Sequence, residues 1–260
     1  MSLKNKNYYT YINNKTTPIV FIHGVGLDRN MWAPQINFFK KYSTLTYDLL
    51  GHGKMPFNKD KIAIEDYTHQ LISLIEDLKI SKFHLVGFSI GSLIAIDFAA
   101  NFNNKLNSLT LIATTYKRNE KQRQEVIDRV NLAKLNKPIS KLALKRWFTD
   151  EYLEKNPKIY DEFMNILTKK PEDQKNFIKA YELFAHYKDD IKKIKKINTK
   201  TLVMTGSIDP GSTPEMSKNL SSDLKNSQYI EINKGKHLCS IECSDDVNIN
   251  IEKFITNDPN

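Results

Sequence analysis

The chain has 260 residues, of which 40% are hydrophobic and 27% charged, and its formal net charge is +9 at pH 7. This composition excludes an intrinsically disordered chain, and the length fits one α/β domain with an insertion or two small domains. No apolar run approaches the roughly 18 residues of a membrane helix, so no membrane partner is expected.

Short apolar runs alternate with helical periodicities along most of the chain. The predicted strands are residues 19–22, 44–48, 83–86, 106–113, 201–205 and 229–232, and the predicted helices between or after them are 64–79, 92–101 and 245–256. Strands and crossover helices alternating at these lengths predict a mostly parallel sheet with helices on its faces.

The segment 117–196 breaks this alternation, because it contains no convincing strand pattern. Four amphipathic helices are predicted in it, at 119–135, 139–149, 158–169 and 172–187, with Pro138, Pro157 and Pro171 near their boundaries. We therefore predict a core domain formed by residues 1–116 and 197–260 and a helical domain, 117–196, inserted into it.

The positive charge is concentrated near this insertion. Residues 117–200 contain 22 Lys and Arg against 13 Asp and Glu, whereas the remaining residues contain 17 of each kind. Such a block suits an anionic substrate, an acidic protein partner or nucleic acid. Nucleic acid is disfavoured because no recognised binding motif is present. A compositional explanation also stands, since 34 of the 39 basic residues are Lys and the chain contains 25 Asn, a skew typical of AT-rich genomes.

Two features bear on the compartment. Residues 1–14 lack the apolar segment of a signal peptide. The two cysteines, Cys239 and Cys243, have no second pair of the kind that zinc sites use. Both features predict reduced thiols, no metal site and a cytoplasmic location.

The most informative motif is Gly87-Phe88-Ser89-Ile90-Gly91, which follows a predicted strand and precedes a predicted helix. On such a turn a serine adopts strained backbone angles and its hydroxyl projects above the sheet as a nucleophile. The alternative is a glycine-rich connection whose serine only caps the helix.

A serine nucleophile requires a base and an acid that orients the base. Two histidines follow Ser89, and His186 lies inside the helical insertion, whereas His237 lies in a loop after the last predicted strand. Asp209 lies in the loop after the preceding strand, and Glu215 is the fallback. The order serine, acid, histidine makes Asp209 the predicted acid and His237 the predicted base.

An acyl-transfer site also needs donors for the developing oxyanion. The first buried strand ends in His23-Gly24-Val25-Gly26. The backbone N–H groups of Val25 and Ile90 are the predicted donors, and His23 is interpreted as a structural residue that hydrogen-bonds the loop.

Together these motifs, with Asp48-Leu49-Leu50-Gly51-His52-Gly53, resemble those of the α/β-hydrolase superfamily. The resemblance implies an α/β-hydrolase fold with a helical cap at 117–196, and a reaction that needs no cofactor. Within the superfamily the chain is most similar to 3-oxoadipate enol-lactonase-like hydrolases and pimeloyl-carrier-protein methyl esterases. The stretches that carry this similarity are 26–35, 47–53, 209–215 and 237–242.

The expected function is a serine hydrolase, a carboxylesterase or lactonase, acting on a small and possibly anionic ester or lactone. A first alternative is an esterase for acyl esters on an acidic carrier protein, which the basic residues Arg118, Arg123, Arg129, Lys145 and Arg146 would dock. A second alternative is a ligand-binding protein with little turnover. The candidate pocket walls, each of which also fits a core position, are Trp32, Phe88, Trp147, Phe148 and Phe184.

Overall fold

The computed structural model describes residues 6–135, 139–168 and 171–256. Within these ranges the strands form a single seven-stranded sheet. The strands are β1 (Tyr9–Ile12), β2 (Ile19–Ile22), β3 (Thr44–Tyr47), β4 (Phe83–Phe88), β5 (Leu106–Ile112), β6 (Thr201–Gly206) and β7 (Ser227–Ile232). Their spatial order is β1-β3-β2-β4-β5-β6-β7, with β1 antiparallel to β3 and all other neighbours parallel. The predicted, mostly parallel sheet is therefore confirmed.

The described part of the chain also forms α-helices. They are α1 (Ala33–Phe38), α2 (Ile64–Asp77), α3 (Ile90–Phe102), α4 (Glu120–Lys134), α5 (Ser140–Trp147), α6 (Asp150–Lys155), α7 (Pro157–Leu167), α8 (Pro171–His186), α9 (Ile191–Lys196), α10 (Pro214–Asp223), α11 (Cys239–Glu242) and α12 (Ser244–Thr256). Short 3-10 helices occupy Lys6–Tyr8, Arg29–Trp32 and Asn103–Lys105. Among the described residues no helix is both long and apolar enough to cross a bilayer.

The continuous apolar strands are explained by the two hydrophobic layers. In β2, Val20 and Ile22 pack into the layer formed with α2 and α3, while Ile19 and Phe21 pack into the layer formed with α12. Successive side chains of a strand point to opposite faces, so a strand covered on both faces needs apolar residues at every position. All four residues of β2 are completely buried.

The chain leaves the sheet after β5 and returns to it at β6, and α4 to α9 lie between these strands. Helix α4 packs against α8, and α5 packs against α7. Helix α9 packs against α3, one of the helices that cover the sheet. Pro157 and Pro171 begin α7 and α8, as the sequence predicts, whereas Pro138 and residue 169 lie outside the described residues.

The start of α3 makes a close backbone contact with the sheet. A Cβ atom added at Gly91 would lie 2.4 Å from the carbonyl oxygen of Ile22 and 2.7 Å from that of His23. Both contacts are to backbone, which cannot rotate away as a side chain can. The glycine therefore lets α3 begin directly beside the end of β2.

We predict that Gly91→Ala lowers the free energy of unfolding by about 1–3 kcal/mol, because the added methyl overpacks a rigid site. The control is Gly211→Ala, whose added Cβ would meet nothing closer than an Asp209 carboxylate oxygen at 3.6 Å. Urea denaturation of both variants measures the difference. Equal unfolding free energies for the two variants would contradict this reading of the α3 contact.

Candidate active site

Ser89 occupies the sharp turn between β4 and α3. Its backbone angles are φ 55° and ψ −118°, a combination that residues other than glycine rarely adopt. Its N–H donates to the carbonyl oxygen of Ile112 on β5 at 2.9 Å. The Ser92 hydroxyl reinforces the turn by donating to the carbonyl oxygens of Gly87, at 2.7 Å, and Ile112, at 3.0 Å. Strain at Ser89 is thus held in place by β4, β5 and α3.

Asp209 and His237 are joined by a hydrogen bond of 2.7 Å between Asp209 Oδ2 and His237 Nδ1. The other carboxylate oxygen accepts the N–H groups of Gly211, at 2.8 Å, and Ser212, at 3.0 Å. An ionised carboxylate can only accept, so Nδ1 carries the shared proton and Nε2 is left as the basic nitrogen. Glu215, the fallback acid, is exposed on α10, and His186 is exposed on α8.

Close backbone contact brings the loops of Asp209 and His237 together. A Cβ atom at Gly206 would lie 2.1 Å from the carbonyl oxygen of Gly235, which also accepts the N–H of Ile208 at 3.1 Å. The imidazole of His237 packs on the Phe88 ring, with 5.1 Å between centroids. The loops after β6 and β7 therefore place the Asp209–His237 pair beside the turn that carries Ser89.

These three side chains line one cavity with a volume of about 60 Å³. Four of the other predicted site residues, Val25, Phe88, Trp147 and Phe184, also line it. Ile90 buries its side chain in the core, and it is the first residue of α3. Its N–H belongs to the first turn of that helix, where backbone N–H groups have no intrahelical acceptor.

Two of the predicted pocket walls do not line the cavity. Trp32 is fully buried and packs on Phe21, with ring centroids 5.0 Å apart. Phe148 is also fully buried and contacts Phe163 and Tyr152. Both are core residues, which corrects the prediction. They lie in the same hydrophobic layer as Phe88 and Trp147, but their rings pack against other aromatic side chains and do not line the cavity.

The cavity also contains two arginines that the sequence reasoning assigned to protein docking. Arg129 of α4 and Arg146 of α5 line its wall together with Tyr181 of α8, and Arg129 Nε donates to the Tyr181 hydroxyl at 3.2 Å. Neither arginine forms an ion pair with a carboxylate of the described residues. Burial, and then the charge of Arg129, lower the pKa of Arg146. An anion in this cavity would relieve the repulsion.

The remaining basic residues of the proposed docking surface are placed differently. Arg118 is buried, donates to the carbonyl oxygen of Phe184 at 2.7 Å and lies over its ring. Arg123 donates to the carbonyl oxygen of Tyr187 at 2.7 Å. Only Lys145 of this group is exposed. These arginines brace α4 against α8.

The loops after β2 and β3 are tied together by His23 and Asp48. His23 Nε2 accepts the N–H of Leu49 at 2.9 Å, and Nδ1 contacts the carbonyl oxygen of Gly24 at 2.8 Å. Asp48 is buried and pairs with the Arg29 guanidinium at 2.5 Å. The structural role predicted for His23 is confirmed.

In the described part of the chain no group of three or more His, Cys, Asp or Glu side chains is arranged to hold a metal ion.

Comparison with known proteins finds relatives over nearly the whole chain. A family model described as the alpha/beta hydrolase fold matches residues 17–242. An (E)-2-((N-methylformamido)methylene)succinate hydrolase of Acinetobacter baylyi is 27% identical over 264 residues, covering 98% of this chain and 96% of the relative. The 3-oxoadipate enol-lactonase 2 of the same bacterium is 25% identical, and the alignment covers 91% of this chain and 87% of the lactonase. The predicted similarity to enol-lactonases is confirmed.

Solved structures with the same fold are also found. An enol-lactonase from Burkholderia xenovorans has a TM-score of 0.85 at 24% identity, with 96% of each chain covered. A thermophilic esterase from Thermogutta terrifontis has a TM-score of 0.84 at 20% identity, covering 95% of this chain and 93% of its own. At these identities the likeness shows the fold. The similarity to pimeloyl-carrier-protein methyl esterases stays a prediction.

We predict that His23→Ala lowers the free energy of unfolding by about 1–3 kcal/mol, because it leaves the buried N–H of Leu49 without an acceptor. The matched control is His69→Ala on the exposed side of α2, which should change it by less than about 0.5 kcal/mol. Thermal or urea denaturation decides between them. Should both variants be equally stable, His23 does not hold this loop.

Proposed function

The chain belongs to the α/β-hydrolase family, and we propose that it is a serine hydrolase that cleaves small carboxylic esters or lactones through an acyl-enzyme. One observation carries the proposal. Ser89, His237 and Asp209 come from three separate loops and line the same cavity, and His237 is already oriented by its 2.7 Å hydrogen bond to Asp209. The free thiols of Cys239 and Cys243 fit the cytoplasmic location that we propose with it.

In the proposed first step His237 Nε2 takes the hydroxyl proton of Ser89 while the oxygen attacks the substrate carbonyl carbon. Asp209 stabilises the resulting imidazolium, and the N–H groups of Val25 and Ile90 donate to the oxyanion. The tetrahedral intermediate collapses, and the leaving alkoxide takes the proton from His237. Water then attacks the acyl-enzyme with His237 as base, releasing the acid and restoring Ser89.

We further propose that the substrate carries a carboxylate besides its scissile bond. Arg129 and Arg146 supply two cations in the cavity wall without a carboxylate partner among the described residues. Guanidinium groups bind carboxylates through strong, charge-assisted hydrogen bonds. The names of the two bacterial relatives, a succinate-type hydrolase and an oxoadipate lactonase, support the same class of substrate.

The geometry favours this small substrate over an acyl chain on a carrier protein. Arg118 and Arg123, the expected docking residues, donate to backbone carbonyls inside the protein. We propose that the inserted helices, residues 117–196, act as the lid of the site and select the substrate.

Replacing the nucleophile gives the direct test of the reaction. We predict that Ser89→Ala reduces hydrolysis of p-nitrophenyl acetate to near the rate without enzyme, because Ser89 is the group that we propose forms the acyl-enzyme. The exposed Ser222→Ala is the control and should keep wild-type activity. Full activity in a folded Ser89→Ala protein would refute the nucleophile, and a wild type that binds esters without turnover would favour a ligand-binding protein.

Substrate charge is tested with a pair of methyl esters of equal chain length, monomethyl adipate and methyl hexanoate. We predict that Arg129→Gln and Arg146→Gln each lower kcat/KM for the carboxylate-bearing ester by about 10- to 100-fold, the loss of a charged hydrogen bond, and change the neutral ester little. Lys145→Gln, next to Arg146 but exposed, is the matched control. Equal losses on both esters would contradict the anion site.

A further inference from the structure

The loop that carries His237 is attached to the junction between α5 and α6 on both sides of the histidine. Leu238, which follows it, donates its N–H to the carbonyl oxygen of Trp147 at 3.0 Å. Lys236, which precedes it, donates its N–H to Glu242 Oε2 at 3.1 Å. The Lys236 ammonium reaches the carbonyl oxygen of Lys145 at 2.8 Å. The backbone on either side of His237 is therefore anchored outside its own loop.

Glu242 completes this attachment through its second carboxylate oxygen. Glu242 Oε1 accepts the N–H of Thr149 at 2.9 Å and also the Thr149 hydroxyl. Thr149 is the N-cap of α6, so one carboxylate joins the start of that helix to the residue before His237. All three donors are backbone N–H or hydroxyl groups, and Glu242 forms no ion pair with a basic side chain of the described residues.

We propose that Glu242 is a positioning residue that holds the His237 imidazole in line with Ser89 and Asp209 by fixing its loop to the α5–α6 junction. This inference rests on the proposed role of His237 as the base. Arg146, which lines the cavity, lies in the last turn of α5, directly before this junction. Glu242 therefore connects the segment that presents a cation to the substrate with the loop that presents the base.

The geometry gives a graded expectation. Glu242→Gln keeps one acceptor oxygen, so it can still accept from either Thr149 or Lys236. Its amide NH2 group cannot accept a hydrogen bond, so the attachment to the other residue is lost. Glu242→Ala loses both. A displacement of about 1 Å in a catalytic group costs on the order of 100-fold in rate. We expect kcat for p-nitrophenyl acetate to fall about 10-fold in Glu242→Gln and about 100-fold in Glu242→Ala, with KM unchanged within about twofold.

The decisive experiment adds a readout that needs no turnover. The Nδ1 proton shared by His237 and Asp209 should give a downfield imidazole resonance in the proton NMR spectrum. It should be present in the wild type and in the control Glu154→Gln, an exposed carboxylate on α6, and weakened or lost in the Glu242 variants. Should Glu242→Ala not fold, Glu242→Gln decides.

The proposal is overturned if both Glu242 variants keep wild-type kcat and the resonance, or if only KM rises. A wild type without esterase activity instead refutes the proposed function. The resonance alone then decides whether Glu242 positions the histidine, so the two failures can be told apart.

Discussion

The backbone turn at Ser89 is the constraint on which the candidate site depends. A residue with φ 55° and ψ −118° occupies a region that costs on the order of 1–3 kcal/mol and persists only where its surroundings impose it. Here the surroundings are β4, β5 and the start of α3, which share hydrogen bonds through Ile112 and Ser92. The central strands β4 and β5, which are almost entirely buried, supply the rigidity that this turn requires.

The helices between β5 and β6 form one wall of the cavity and place two arginines in it. They contribute Arg129, Arg146 and Tyr181 to a cavity whose other wall is built by the loops at the carboxyl ends of the strands. The same helices are hydrogen-bonded to the His237 loop through Trp147 and Thr149. We propose that the core supplies the reacting groups, while the inserted helices select the substrate and hold the His237 loop in position.

The sequence is most informative where local geometry restricts the residue type. The sequence singles out Ser89 as a candidate because it lies between two glycines at a predicted strand-to-helix turn. It singles out Asp209 and His237 because each lies in the loop that follows an apolar strand. Strand β1 could not be predicted, because it has only four residues and lies at the edge of the sheet, where it pairs with β3 alone. The helical spacing of Arg129 could have placed it in the protein interior, because it lies on the same face of α4 as the buried Val126 and Val130. The contacts of Glu242 depend on tertiary packing, which no spacing in the sequence reveals.

Covalent labelling tests whether Ser89 is a nucleophile activated by His237 and Asp209. The wild type is incubated with a fluorophosphonate, which phosphonylates activated serines, and digested for peptide mass spectrometry. We expect a single adduct on Ser89 and a much slower reaction in Asp209→Asn, whose histidine loses its orienting carboxylate. An adduct on another residue, or a folded wild type that does not react, would contradict it.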